Sequence, residues 1–279
     1  MTASFADRFS TARTGRGPLV WGLDPSAALL ERWGLGDTPD GLERFVDTVV
    51  PAAADTVALV KPQSAFYERH GWRGVRALSR LVSEARDAGL LVIVDAKRGD
   101  IGSTNDAYAE AYLGAGAPLA ADALTVTAYL GLAAMGGFVR RAHDSGACVL
   151  VVLRSSNPEG RDVQLAVDAG GQTVEQRLLA QVGAWNRDLV PDGVGPLGAV
   201  VAPTHLAPPL DLADARAIFL APGIGAQGAT MEDVATVFAS CPDRVMPSAS
   251  RSLLQDGPDP QRLRDTAAAA ADEARRLLG

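Results

Sequence analysis

Short apolar runs recur along the chain, and amphipathic stretches separate them. We predict strands at residues 19–23, 57–60, 90–94, 123–126, 148–153, 197–201, 217–220 and 244–247. Helices are predicted at residues 42–54, 75–85, 107–113, 174–189, 231–239 and 262–278. In the stretch 75–85, apolar residues recur at intervals of three and four positions, which is typical of a helix with one buried face.

The composition of the predicted strands indicates the fold class. They are apolar throughout, which indicates burial on both faces of a parallel sheet, and helices connect them. Eight such units in about 250 residues predict an α/β fold of the (β/α)8 TIM barrel type. An open, doubly wound sheet is the alternative. We favour the barrel because no G-x-G-x-x-G motif follows an early strand, and because charged residues follow many strands.

No break in composition, internal repeat or linker divides the chain. We therefore expect residues 1–279 to form a single (β/α)8 barrel domain. One connection, residues 154–172, is longer than most loops inside a domain. Because it follows a predicted strand, we expect it to act as a lid over the carboxyl ends of the strands.

Composition and charge narrow the class of function. The 279 residues are 47% hydrophobic and 21% charged, with a net charge of -7, so binding to nucleic acid or to an anionic membrane surface has no electrostatic support. No apolar run approaches the roughly 20 residues that span a bilayer, and the N-terminus has no signal-like apolar region, which favours a cytoplasmic protein. Cys148 and Cys241 are too few for a disulfide framework or a zinc site, and we interpret them as packed thiols.

Charged residues follow the first three predicted strands. Asp24 follows the first, Lys61 the second, and Asp95 and Lys97 the third. Because active sites of such barrels lie at the carboxyl ends of the strands, these side chains are predicted to form a row of alternating charge across the barrel mouth. Ordinary ion pairs closing the rim are the alternative. Arg98 is expected to point away from this row into solvent.

The last two units carry a different pattern. Residues 221–228 read APGIGAQG, and Arg251 follows the eighth strand. The loops after strands 7 and 8 are a frequent phosphate site in this fold, so Gly223, Gly225, Gln227 and Arg251 are candidate phosphate ligands. A tight turn and a surface arginine are the alternative reading.

The three histidines do not support a metal site. His70, His143 and His205 fall in a loop after a strand, a helical stretch and another loop, and they are not spaced as metal ligands. No Cys/His cluster, phosphate-binding Walker loop or nucleophile elbow is present either. We therefore predict no metal and no cofactor.

Together these motifs resemble the orotidine 5'-monophosphate decarboxylase family. The block Asp95-Ala96-Lys97-Arg98-Gly99-Asp100-Ile101-Gly102-Ser103-Thr104 is typical of its bacterial branch, and Leu23-Asp24-Pro25, Val60-Lys61-Pro62 and the G-I-G-A-Q-G loop also match. The spacing D-x-K-x-x-D alone is shared with sugar-phosphate relatives, but the longer set is far more specific. The resemblance covers nearly the whole chain.

The resemblance implies an activity and an assembly. The expected reaction is cofactor-independent decarboxylation of orotidine 5'-monophosphate to UMP and CO2 in de novo pyrimidine biosynthesis. Lys61, Asp95, Lys97 and Asp100 match the family's charged tetrad. Asp100 and Thr104 are expected to reach into the site of the partner subunit, which implies a homodimer.

The resemblance also assigns the substrate contacts. Asp24 matches the ligand of the ribose hydroxyls, and Gln227 and Arg251 match the phosphate ligands. Ser156 is assigned to the pyrimidine, with adjacent Ser155 as the alternative. One departure is in the segment 125–129, TVTAY, where Asn-Pro would be expected before the tyrosine; it leaves the contacts of the fourth strand open and alters none of the charged residues.

The chemistry explains why fixed charge is needed. Loss of CO2 from C6 of orotate leaves a carbanion in the ring plane, where the π system stabilises it little. Lys97, kept as an ammonium by neighbouring carboxylates, would stabilise that charge and protonate C6. Three rivals are a magnesium-dependent sugar-phosphate decarboxylase or lyase of the same barrel group, a Schiff-base aldolase using Lys61 or Lys97, and a nucleotide-binding barrel without turnover. A lysine beside aspartates is a poor nucleophile, which disfavours the aldolase.

Overall fold

Eight parallel strands close into a barrel in the computed structural model, which describes residues 2–204 and 209–279. His205 lies outside the described residues. Each strand pairs in parallel with its sequence neighbours, and β1 pairs with β8. The strands are β1 (Val20–Leu23), β2 (Leu59–Pro62), β3 (Leu91–Arg98), β4 (Ala123–Val126), β5 (Cys148–Arg154), β6 (Leu197–Val201), β7 (Phe219–Ala221) and β8 (Val245–Ala249). The predicted (β/α)8 barrel is confirmed.

Helices surround the barrel, and the predicted ones are present with longer or shorter bounds. They are α1 (Phe5–Arg16), α2 (Ala27–Arg32), α3 (Pro39–Ala54), α4 (Ala65–Glu68), α5 (Gly71–Asp87), α6 (Gly102–Tyr112), α7 (Gly136–Ser145), α8 (Arg161–Gln164), α9 (Val174–Leu189), α10 (Met231–Val237), α11 (Arg251–Leu254) and α12 (Pro260–Leu278). Helix α9 starts where the sequence predicts because Thr173 and Gln176 form a reciprocal capping box. No helix in the described ranges is long and apolar enough to cross a membrane.

Helix α1 closes the amino-terminal end of the barrel. Phe5 and Phe9 are buried against the side chains that fill the barrel interior, among them Leu59, Leu150 and Met246. Arg8 pairs with the buried Asp122 and donates a hydrogen bond to the Gly146 carbonyl at 2.9 Å. With its lower end sealed, the barrel opens to solvent at the carboxyl ends of its strands.

The long connection after β5 is anchored at both of its ends. Arg154, the last residue of β5, donates two hydrogen bonds to Glu175 in the first turn of α9, at 2.8 and 2.6 Å. Glu175 is fully buried. The connection itself carries the short helix α8, so it is an ordered loop held at its base.

Both cysteines are buried and unpaired, as predicted. Cys148 lies in the barrel interior, where burial raises the pKa of its thiol to about 12. Such a thiol stays protonated and unreactive at neutral pH.

Candidate active site

A cavity of about 330 Å³ lies at the carboxyl ends of the strands. Its walls come from the carboxyl-terminal parts of the eight strands and from the loops after β5 and β7. It brings together most of the predicted site residues: Asp24, Lys61, Asp95, Lys97, Ser156, Gly223, Gln227 and Arg251. Parallel strands explain this convergence, because their carboxyl ends meet at one face of the barrel.

Asp95 is the centre of the charged cluster. Lys61 Nζ donates to Oδ2 of Asp95 at 3.1 Å, and Lys97 Nζ donates to Oδ1 at 2.6 Å. Lys61 is almost fully buried, with an 8% exposed side chain, whereas the Lys97 side chain is 49% exposed. One carboxylate therefore holds two ammonium groups, one in the barrel and one facing the opening.

These contacts set the ionisation of the cluster. Burial alone would raise the pKa of Asp95, but Lys61, Lys97 and hydrogen bonds from Lys97 and Thr125 outweigh it and hold that pKa well below its ordinary value. Burial works against the charged form of Lys61 too, yet the carboxylates of Asp95 and Asp24 raise its pKa. The alternating charges predicted from the sequence thus stabilise one another.

Two polar residues of the cluster were not predicted from the sequence. The Thr125 hydroxyl donates to Asp95 Oδ1 at 2.8 Å, and Gln63 Nε2 donates to Oδ2 at 3.2 Å. Thr125 lies at the start of the segment 125–129, and its side chain points into the barrel beside β3. Gln63 follows Lys61 by two positions at the end of β2, so the two side chains share a face of the strand. This spacing could have identified Gln63 from the sequence.

The expectation that Arg98 lies in solvent is wrong. Its side chain is partly buried instead of solvated, and it pairs with Glu68 and donates to the Tyr112 hydroxyl at 3.0 Å. The alternation of side chains along a strand correctly turns it away from Lys97. The surface it turns to is covered by α4 and α6, which the sequence pattern did not reveal.

Asp24 offers an unsatisfied acceptor beside the cluster. Its Oδ1 is buried and accepts no hydrogen bond from the described residues. Nearby, Tyr67 donates its hydroxyl to the Leu23 carbonyl at 3.1 Å, and burial followed by the charge of Asp24 raises the pKa of that hydroxyl well above its usual value. A buried acceptor that faces a cavity suits the hydroxyl of a ligand.

The glycine-rich loop after β7 folds back over the cavity. Gly223 and Gly225 have φ values of +101° and +74°, a region that favours glycine. A Cβ at Gly223 would lie 3.0 Å from Thr204 and 3.3 Å from Ser156, so the loop packs closely against the neighbouring loops. Gly225 supports this turn but does not line the cavity. Arg251 starts α11, one residue after the end of β8, and also lines the cavity.

The loop after β5 contributes both candidate serines. Ser155 and Ser156 line the cavity. The Ser155 hydroxyl accepts a hydrogen bond from Gln164 Nε2 at 2.8 Å, which commits it to α8. The carbonyl of Ser156 accepts a bond from the Thr204 hydroxyl at 3.4 Å.

Asp100 and Thr104 do not join the cavity of their own chain. Oδ1 of Asp100 accepts a hydrogen bond from the Ile101 amide at 2.8 Å, and Thr104 is exposed on α6. Ile101 is 61% exposed and Tyr129, on the loop after β4, is 82% exposed. Three members of the expected tetrad, Lys61, Asp95 and Lys97, therefore line the cavity of this chain, and Asp100, which is expected to serve the partner subunit, does not.

Lysine usage gives a further signal. The sequence contains two lysines, Lys61 and Lys97, and both lie in this cavity. All its other Lys and Arg residues are arginines. Arginine is interchangeable with lysine on most surfaces, but a compact ammonium that can give up a proton is not. The confinement of lysine to this cavity therefore points to a chemical use of the ammonium groups there.

Comparisons with known proteins agree with this site. The model of the orotidine 5'-phosphate decarboxylase / HUMPS family matches residues 17–265. The orotidine 5'-phosphate decarboxylase of Streptomyces coelicolor is 49% identical over 278 residues, covering 97% of each chain. That of Myxococcus xanthus is 45% identical, covering 93% of this chain and 91% of the other.

Solved structures share the fold over the full length. The structure of Leishmania donovani OMP decarboxylase has a TM-score of 0.74 at 28% identity, covering 99% of this chain and 98% of that chain. A Streptomyces avermitilis structure assigned to the same activity has a TM-score of 0.93 at 48% identity, covering 99% and 96%. The chain therefore belongs to the orotidine 5'-phosphate decarboxylase / HUMPS family.

Proposed function

We propose that the chain, as one barrel domain, decarboxylates orotidine 5'-monophosphate to UMP and CO2 in the cytoplasm, with Lys97 protonating C6. The observation that carries this proposal is the single carboxylate of Asp95 held between Lys61 and Lys97. The same cavity holds a glycine-rich loop and Arg251, which suit a phosphate. A charged cluster and a phosphate site in one cavity fit a nucleotide whose base must be held against fixed charge.

Lys97 is the residue that meets the reacting carbon. Its ammonium group faces the opening, whereas that of Lys61 is buried behind Asp95. When the bond from C6 to the carboxylate carbon breaks, its electron pair stays on C6, and CO2 leaves uncharged. The Lys97 ammonium stabilises the carbanion and then transfers its proton to C6, leaving a neutral amine that solvent reprotonates.

Asp95 contributes by position and by charge. Placed against Lys97, it lies where the substrate carboxylate must approach, and the repulsion between the two is relieved as CO2 becomes neutral. Lys61, Thr125 and Gln63 keep Asp95 ionised and fixed, so little reorganisation is needed during the reaction.

Remote groups supply the binding energy. Asp24, with its open acceptor, is assigned to the ribose hydroxyls, and Gln227 and Arg251 are assigned to the phosphate, with Gly223 and Gly225 shaping the loop. Ser156 is assigned to the pyrimidine through the resemblance to the family, with adjacent Ser155 as the alternative; both line the cavity. Such contacts hold the pyrimidine against the charged cluster and lower the barrier to the chemical step.

The active assembly is proposed to be a homodimer. The half-buried Asp100 and the exposed Thr104 lie outside their own cavity, on a surface that includes the exposed apolar side chains of Ile101 and Tyr129. Burying that surface against a second copy would remove apolar area from water and would allow Asp100 to reach the partner's Lys97. The tetrad would then be completed across the interface.

The hydrogen bonds that Asp95 accepts argue against the magnesium-dependent alternative. Both of its oxygens accept hydrogen bonds from ammonium groups, which compete with a divalent cation. Loss of activity in a chelator would still favour that rival.

The test follows the fall in orotate absorbance when the purified protein meets orotidine 5'-monophosphate in excess chelator, with Lys97→Ala in parallel. Rapid formation of UMP by the wild type, and not by the variant, is expected. Failure of the wild type to form UMP while UMP still binds would contradict the proposal and indicate another reaction in the same phosphate-binding barrel.

A further inference from the structure

Lys97 has a backbone conformation that lysine rarely adopts. Its φ is +47°, in the left-handed region that glycine, asparagine and aspartate favour. The pairing of β3 with β4 changes register between Val94 and Arg98, so Lys97 lies in a bulge. A conformation of this kind persists only where neighbouring contacts enforce it.

Strand β4 holds the backbone on both sides of the bulge. The Lys97 amide donates to the Thr125 hydroxyl at 3.0 Å, and the Arg98 carbonyl accepts a bond from the Thr127 amide at 2.8 Å. Gly99 then packs so closely that a Cβ there would lie 2.3 Å from the Thr127 carbonyl oxygen. These bonds fix the backbone around Lys97. They do not hold the side chain of the next residue, Arg98.

The Arg98 side chain is clamped on several sides. Its guanidinium pairs with Glu68, and Nη2 donates to the Tyr112 hydroxyl at 3.0 Å. The guanidinium carbon lies 5.4 Å from the centre of the Tyr108 ring and 5.8 Å from that of Tyr112. A planar, delocalised cation suits this combination of an ion pair and aromatic faces, and lysine would satisfy only part of it.

Glu68 connects this clamp back to Asp95. The Ser64 hydroxyl donates to the Glu68 carboxylate, and the Ser64 amide donates to the Asp95 carbonyl at 3.1 Å. Ser64 is buried. One network therefore holds the backbone at Asp95 and the side chain of Arg98, the two ends of the segment that carries Lys97.

We propose that Arg98 is a positioning residue for Lys97. Clamped by Glu68, Tyr108 and Tyr112, it maintains the bulge that directs the Lys97 ammonium onto Asp95 and towards the cavity. The inference rests on the proposed function, in which Lys97 protonates C6. Arg98 does not line the cavity, so its loss should impair the chemical step and leave nucleotide binding largely intact.

The kinetic test compares Arg98→Met and Arg98→Lys with Arg276→Met, a control at an exposed position on α12. For Arg98→Met, kcat for orotidine 5'-monophosphate is expected to fall about 100-fold, since small misplacements of a reacting group have effects of that size. The Kd of UMP, measured by calorimetry, should stay within about threefold of wild type. Arg98→Lys, which keeps the charge opposite Glu68, should recover part of the loss, and Arg276→Met should match the wild type.

A spectroscopic arm reads Lys97 directly. Because the sequence has two lysines, protein labelled with ε-13C-lysine gives two side-chain signals, and Lys97→Ala identifies which is which. In Arg98→Met, the Lys97 signal should shift or broaden while the Lys61 signal stays, and in Arg276→Met neither should change. If Arg98→Met does not fold, Tyr112→Phe, which removes one hydroxyl of the clamp, carries the same comparison.

Three outcomes would overturn the proposal. The first is a kcat of Arg98→Met close to wild type with an unchanged Lys97 signal. The second is a parallel loss of kcat, UMP affinity and Tm, which would mean general damage. The third is recovery of kcat at high protein concentration, which would mean that Arg98 acts on subunit association through α6. If the wild type does not decarboxylate the nucleotide, the proposed function fails, and the NMR comparison still decides whether Arg98 positions Lys97.

Discussion

The Thr125 hydroxyl lies between the backbone of Lys97 and the carboxylate of Asp95. It accepts a hydrogen bond from the Lys97 amide at 3.0 Å and donates one to Asp95 Oδ1 at 2.8 Å. One neutral side chain from β4 thus contacts both members of the central ion pair. Because this side chain is uncharged, it supports both groups by hydrogen bonding without adding a charge to the barrel interior.

Replacing Thr125 with valine should therefore reduce turnover without destroying the fold. Thr125→Val keeps the shape of the side chain but leaves the Lys97 amide and Asp95 each with one partner fewer. A lost hydrogen bond to a charged group costs about 1.5–3 kcal/mol, so kcat should fall about 10- to 100-fold. Thr125→Ser, which keeps the hydroxyl, is the control. Steady-state kinetics of the two variants check this, and equal rates in both would contradict it.

The depressed pKa of Asp95 predicts a pH dependence of stability. A carboxyl whose pKa is lowered by folding contributes stability above its unfolded value, 3.8, and loses that contribution as the pH falls towards the folded value. The free energy of unfolding in urea should therefore decrease from about pH 5 downwards, partly through this group. In Asp95→Asn the value near neutral pH should be lower and its decline in acid shallower. Parallel curves for the variant and the wild type would contradict the assignment, and exposed Asp272→Asn serves as the control.

Periodicity and strand-end chemistry predict much of this molecule. Apolar runs locate all the strands because a barrel buries both faces of its sheet, and the charges after β1, β2 and β3 converge because those strands are adjacent. Helix α1 was missed because only Phe5 and Phe9 of its residues are buried, and two aromatic side chains do not make a periodic pattern.

The supporting contacts of the site are harder to predict. Thr125 and Gln63 are ordinary polar residues, and their importance depends on which strand stands beside Asp95. Arg98 was expected in solvent because alternation along a strand says nothing about which helix covers the outer face. The family resemblance, and not strand periodicity, led us to expect Asp100 outside its own cavity, because its position depends on the bulge in β3.

The buried pair at the base of the loop after β5 should be important for stability. Glu175→Gln removes the negative partner and leaves the Arg154 charge buried, which typically costs about 3–5 kcal/mol. Replacing both residues with methionine should recover much of this loss, because neither side chain then carries a charge that must be buried. Urea denaturation of the single and double variants measures both effects. A double variant no more stable than Glu175→Gln would contradict the argument.

We expect Arg251 to bind the phosphate of the substrate and no other part of it. Arg251→Ala should lower kcat/KM for orotidine 5'-monophosphate about 100-fold, or about 2.7 kcal/mol, within the range for a hydrogen bond to a charged group. The slow turnover of orotidine, which has no phosphate, should be nearly unchanged. The control is Arg32→Ala, which removes an exposed arginine that lines a neighbouring cavity together with Arg251. An unchanged kcat/KM for the nucleotide would refute the assignment of Arg251.

Subunit mixing tests whether Asp100 acts in the partner's site. Lys97→Ala and Asp100→Ala should each be nearly inactive alone. In a hybrid of the two, one site loses both residues and the other has both intact. Random mixing places half of the subunit pairs in hybrids with one active site each, so about a quarter of wild-type activity should return.

The control for this experiment mixes Lys97→Ala with Arg251→Ala. Lys97 and Arg251 line the same cavity of one chain, so every site of that hybrid lacks one of them and activity should not recover. If Asp100 instead served its own chain, the first mixture would stay as inactive as the second. Recovery in the Asp100 mixture alone would place that carboxylate beside the partner's lysine, which explains why Asp100 lies outside its own cavity.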